Sequence, residues 1–153
     1  MCSSDLVGLS TAKGYCYALQ KPLITIPTLQ LIASVVHADS TTWICPMIDA
    51  RRMEVFYALY DDNLQELQPA QSLVLDAHSF ETELATRKII FCGDGADKFK
   101  TCCSSSNASF SSTKATAAAM VPLALKKFSA KDFADVAYAT PLYGKEFYTQ
   151  PKS

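Results

Sequence analysis

Histidine occurs only twice, at His37 and His78, and no two cysteines stand in a Cys-x-x-C arrangement. A zinc site therefore has no ligand spacing to start from. Neither sign of charge dominates: 14 Lys and Arg face 15 Asp and Glu, for a net charge of −1. That balance supplies no basic field to hold nucleic acid, so a role in RNA chemistry would run through a partner. No apolar run nears the ~20 residues of a membrane-spanning helix. Met1 to Leu6 has neither the cationic start nor the apolar centre of a secretory signal. The six cysteines (Cys2, Cys16, Cys45, Cys92, Cys102 and Cys103) form no disulfide framework, which points to a reduced, cytoplasmic setting.

What is present is globular. Hydrophobic residues make up 49% and charged residues 19% of a chain of 153 residues, the length of one domain or two small lobes. Its centre is WICPMIDARRMEVFYALY, Trp43 to Tyr60. Trp43 to Ile48 is an apolar run ending in Asp49. Val55, Tyr57 and Leu59 then alternate with Phe56, Ala58 and Tyr60, so both faces are apolar. This predicts two central antiparallel strands, covered on both sides and joined through Ala50–Met53. Asp49, Arg51 and Glu54 gather at the tip. An acid at the end of a central strand, beside a tight hairpin, is where actin-like ATPases hold phosphate and metal. Such a cradle needs glycine or serine after the acid, so that backbone N–H groups can approach the phosphate. Ala50 stands there instead. Two readings remain: a solvated ion-pair cluster that fixes the turn, or a degenerate phosphate hairpin kept for a partner.

Along the rest of the chain, Met1 to Leu6 reads as a leader foreign to the sequence after it. Val7 to Leu19 reads as a helix that carries Gly8 and Gly14, each unfavourable by ~1 kcal/mol relative to alanine. Such glycines imply close approach of another backbone, either a sheet of the same lobe or a partner. Pro22 to Ile26 reads as a short strand. A helix then starts at Thr28, with Leu29, Ile32, Ala33 and Val36 as its inner stripe. Asp39 to Thr42 is the expected linker. Leu64 to Leu75 supplies a third strand, and Pro69 suits it to an edge. Asp76 to Thr86 is a short helix, and Lys88 to Cys92 a buried strand. Gly93-Asp94-Gly95-Ala96 then leads into a helix through Phe99. Strand, glycine turn and helix suit either a tight connection or a nucleotide contact at Gly93 and Gly95. Thr101 to Thr113 reads as an exposed Ser-rich loop, and Lys114 to Phe128 as a helix marked by Pro122.

Four stretches resemble the TsaB family, which serves the synthesis of threonylcarbamoyladenosine in tRNA. They are Ile48-Asp49-Ala50-Arg51 with Glu54-Val55, Gly8-Leu9-Ser10-Thr11-Ala12-Lys13-Gly14, Gly93-Asp94-Gly95-Ala96, and Pro141-Leu142-Tyr143 near the end. Phe56 stands where that family has tyrosine, and its Gly-Pro-Gly run before the first of these helices is missing. The resemblance implies an α/β, actin-like, ribonuclease-H-like fold. Its C-terminal lobe would span 42–153, the N-terminal lobe would be reduced to 7–41, and residues 1–6 would be non-native. It further implies a non-catalytic scaffold with no cofactor of its own and no metal, ATP or ADP binding only at a partner interface. The expected partners are a TsaD-type transferase and a TsaE-type ATPase, with tRNA reached indirectly and a homodimer as a further outcome. Gly8, Thr11, Ala12 and Tyr15 would form the partner interface. A glycoprotease-like metallopeptidase and a nucleotide-binding kinase lobe are the alternatives. Ligand spacing at His37 and His78 would mark the first, and a glycine at position 50 the second.

Overall fold

Aromatic and branched side chains at the density found between Trp43 and Tyr60 favour strands packed between two layers. The computed structural model, which describes residues 3–141, has them so. In chain order its elements are α1 (Ser3–Leu19), α2 (Thr28–Ala33), β1 (Thr42–Asp49), β2 (Glu54–Tyr60), β3 (Glu66–Val74), α3 (Glu81–Thr86), β4 (Lys88–Cys92), α4 (Ala96–Lys100), β5 (Ala108–Ser111) and α5 (Met120–Ser129). A 3-10 turn at Ala117–Ala119 precedes α5.

The five strands form one mixed sheet in the order β3-β2-β1-β4-β5. β1 and β2 are antiparallel, with Ile44 opposite Tyr60 and Asp49 opposite Val55. β2 and β3 are also antiparallel. β4 lies parallel to β1 on its other side, with Ile44 opposite Ile90, and β5 lies parallel to β4. One face of the sheet packs Cys45, Met47, Val55, Tyr57, Leu59, Ile89 and Phe91 against Phe80, Leu84, Ala96 and Phe99. The other face sets Ile44, Ala58, Tyr60 and Cys92 against Leu29 and Ala33 of α2. The covered central hairpin is therefore as expected, and so is the inner stripe of α2, with Ile32 and Val36 packed beside it.

Pro69 sits in edge strand β3, next to the register shift between Tyr57 and Leu59 of β2. Its missing N–H is harmless at that irregularity. Pro46 is more surprising, because it lies in β1 at the centre of the sheet and is buried. The β1–β2 register passes over Cys45 and Pro46, so the absent donor is accommodated as a gap in the ladder.

Several expectations need correction. The first helix starts at Ser3, ahead of Val7. Pro22 to Ile26 is no strand. Only Leu23 pairs, through one antiparallel bridge to Ala134, and the prolines at positions 22 and 27 remove a donor at each end. α3 is shorter than Asp76 to Thr86, because Asp76 caps a turn through the His78 N–H and the Ser79 hydroxyl. The Ser-rich stretch contains β5, drawn into the sheet where Phe110 stacks on Phe91 with ring centroids 5.5 Å apart. The closing stretch from Leu142 onward lies outside the described residues, as do Met1 and Cys2.

The described chain divides into two units. One runs from the start to Pro27 and resumes at Ala117, and the other spans Thr28–Thr116. The first holds α1, the Leu23–Ala134 bridge and α5, and the second holds the sheet with α2, α3 and α4. No helix among the described residues is long and apolar enough to cross a membrane.

Candidate functional site

Two features that read separately in the sequence meet at the end of β1. The Gly95 N–H donates to the Met47 carbonyl at 3.1 Å, and the Asp49 N–H donates to Asp94 Oδ1 at 3.0 Å. The glycine turn thus lies directly against the hairpin tip. Both glycines have a structural reason to be there. Gly93 has φ +91, and a Cβ on it would collide with the Met47 carbonyl oxygen. A Cβ on Gly95 would lie 2.9 Å from Val55 Cγ1 and 3.0 Å from Met47 Cβ. These residues let α4 start flush against β1 and β2.

Asp49 is engaged from within the chain. Its Oδ1 accepts the Lys98 ammonium at 2.6 Å and the Arg51 backbone N–H at 2.6 Å. The Lys98 hydrogen bond, then that backbone N–H, holds the Asp49 carboxyl below its ordinary value. Lys98 also reaches the Glu54 carbonyl at 3.4 Å. Asp49, Arg51 and Glu54 therefore do converge, but the cation that serves Asp49 is Lys98, and Arg51 contributes its main chain. Lys98 is not singled out in the sequence, and Asp94 stands there only as a member of the glycine turn. Nothing in the chain pairs them with a residue so distant, and the one available signal was their place beside Gly93 and Gly95.

The tip itself is strained. Arg51 and Arg52 are consecutive left-handed residues, with φ 71 and 49, and both side chains are exposed. The turn is held by Ala50 N–H to Glu54 O and Glu54 N–H to Arg51 O, each 3.0 Å, and by Leu75 N–H to Met53 O at 2.7 Å.

The other expected site lies on α1. Gly8, Thr11, Ala12 and Tyr15 share one helical face by their spacing; Gly8, Thr11 and Tyr15 are exposed and Ala12 is half-buried. Among the described residues nothing lies within 4 Å of where a Cβ would stand on Gly8 or Gly14. On the same helix Lys13 donates to the carbonyls of Ala137 and Ala139, at 3.1 and 2.9 Å. His37 is exposed, and His78 is exposed and within 3.3 Å of Glu81. Among the described residues no three His, Cys, Asp or Glu side chains gather as metal ligands.

A central hairpin, a third antiparallel strand and two parallel strands reached through helices, with helices on both faces, define an actin-like, ribonuclease-H-like α/β protein. Over residues 4–143 the chain matches the TsaD family, tRNA N6-adenosine threonylcarbamoyltransferase, and it belongs to that family. Several solved structures share the fold, among them two YeaZ-like chains. One is an uncharacterized protein with similarity to peptidase YEAZ from Pseudomonas aeruginosa, at 16% identity and TM-score 0.79, covering 95% of this chain and 69% of that one. The other is YeaZ from Pseudomonas aeruginosa, at 16% identity and TM-score 0.75, covering 94% and 70%. No curated protein sequence matches the chain. The likeness to TsaB stands at the level of family and fold, and it ties the chain to tRNA modification.

Proposed function

We propose that this chain is a non-catalytic scaffold of the threonylcarbamoyladenosine machinery, which binds and stabilises a TsaD-type transferase. The observation that carries the reading is the internal ion pair at the strand-terminal acid. A nucleotide-using protein of this fold needs that carboxylate and the neighbouring backbone free for metal and phosphate. Here Lys98 sits on Asp49 at 2.6 Å, Ala50 follows the acid, and Gly93 and Gly95 are taken up by close packing on Met47 and Val55. Chemistry then belongs to the partner. ATP or ADP would be met only at a shared interface, alongside a TsaE-type ATPase, and tRNA only through the transferase. The exposed face of Gly8, Thr11 and Tyr15 on α1, with Ala12 at its margin, is the surface we assign to the partner, and self-association through it is the competing outcome.

The metallopeptidase alternative would need a donor set that the described residues do not assemble. Co-purification with a tagged TsaD-type subunit from the same source tests the scaffold reading. A stable one-to-one complex is the expected result, together with no heat of ATP binding to this chain alone. Tight ATP binding by the isolated chain, or no complex, would overturn it.

A further inference from the structure

The hairpin tip presents two arginines in a conformation that suits glycine or asparagine far better. Backbone strain of this kind persists where the surroundings over-determine it, and here they do. The turn is fixed by its own hydrogen bonds, by the Asp49 carboxylate on the Arg51 N–H, and by β3 through Leu75. Neither guanidinium has a hydrogen bond or ion pair among the described residues. Asp49, in the same turn, already holds Lys98 at 2.6 Å. Asp94 is turned to the Asp49 N–H. Lys98 thus offsets Asp49 at the base of the tip, and the two guanidinium groups stand exposed at its end, with exposed Met53 beside them.

We infer that the Arg51–Arg52 tip is a preorganised anchor for a carboxylate-bearing surface of a protein partner. This rests on the scaffold reading and adds a second contact to α1. A protein is favoured over RNA because two arginines on a chain of net charge −1 make too small a basic footprint for a nucleic acid, which is held through many phosphates. Two adjacent guanidinium forks instead match a pair of carboxylates, each taken bidentately.

The test compares the full chain with Arg51→Asn/Arg52→Gly and with Arg51→Lys/Arg52→Lys, each titrated against the TsaD-type subunit and against tRNA at low and high salt. The Asn-Gly variant should melt about 3 °C higher, since it relieves the turn. It should also bind the subunit roughly tenfold more weakly, with a flattened salt dependence. The Lys-Lys variant should keep the salt dependence. Unchanged affinity of the Asn-Gly variant, while the unsubstituted chain binds, would overturn the anchor and leave the scaffold standing. Loss of tRNA binding alone would overturn it in favour of RNA. Failure of the unsubstituted chain to bind the subunit would overturn both.

Discussion

Asp49 could be singled out from the sequence because an acid that closes an apolar run is conspicuous. Lys98 could not, because the contact joins residues 49 positions apart and depends on how α4 seats against β1. The same seating decides the meaning of Gly93 and Gly95. As a phosphate cradle they would tolerate a methyl group until ligand arrived; as packing residues they would not. Gly95→Ala should destabilise the chain by about 1–3 kcal/mol through overpacking on Val55 and Met47. Gly93→Ala should lose more, since it adds an unfavourable positive φ to the collision with the Met47 carbonyl. Urea unfolding measures both. If either alanine variant proved as stable as the parent, the packing account would be wrong and a ligand role would return. Phe80 is a third residue whose weight only the fold reveals. It stands just before α3 at φ 62, buried, with edge-to-face contacts to Tyr57, Phe91 and Phe99 at centroid distances of 4.9, 5.3 and 5.3 Å. Phe80→Ala should cost about 3–5 kcal/mol in the same assay.

Elements were legible where burial imposes a period and obscure where it does not. β1, β2 and β4 carry apolar side chains on both faces and could be placed from sequence to within a residue. β5 could not. ASFS has one large apolar residue, and its pairing comes from β4 and from Phe110 stacking on Phe91, neither of which a Ser-rich stretch announces. The Leu23 segment failed in the opposite direction, since apolar composition suggested a strand but among the described residues its β-pairing is the single bridge to Ala134. α1 shows the limit most clearly. Its glycines suggested close approach of another backbone, and among the described residues no atom lies within 4 Å of where their Cβ would stand. This yields a paired prediction. Gly8→Ala and Gly14→Ala should each raise the stability of the isolated chain by about 1 kcal/mol, because each removes a helix-interior glycine and meets open space. If a partner packs its backbone on this face, Gly8→Ala should at the same time weaken co-purification with the TsaD-type subunit. Stabilisation without any loss of complex would move the interface off this face of α1.

On the scale of the whole molecule, ionisable groups inside the sheet predict how stability depends on pH. Cys92 is buried in β4, and desolvation pushes its thiol from 9.0 to about 12. Cys45 is raised well above its ordinary value, first by burial and then by Cys92. Tyr60 is pushed from 10.0 to about 12 by burial, with Glu66 adding to it. In each case the folded state keeps a proton that the unfolded chain gives up. Their contribution is therefore complete below about pH 9, and it declines as pH rises from there towards about 12. The acidic limb runs the other way. Asp39, Asp49 and Asp76 each hold a turn or the hairpin tip and lie below the usual 3.8, so their contribution is present above that value and lost as pH falls through it. The two limbs differ in depth, because the carboxylates are exposed while the thiols and phenols lie in the core. The urea midpoint should accordingly be flat from about pH 5 to 8, fall gently on the acid side and drop steeply above pH 9. Cys92→Ala should make the alkaline drop shallower, because one proton is removed from the linkage, although the lost sulfur lowers the plateau. An alkaline limb of the same slope in that variant would mean that the Cys92 thiol ionises in the folded state, and that the sheet at this point is open to water.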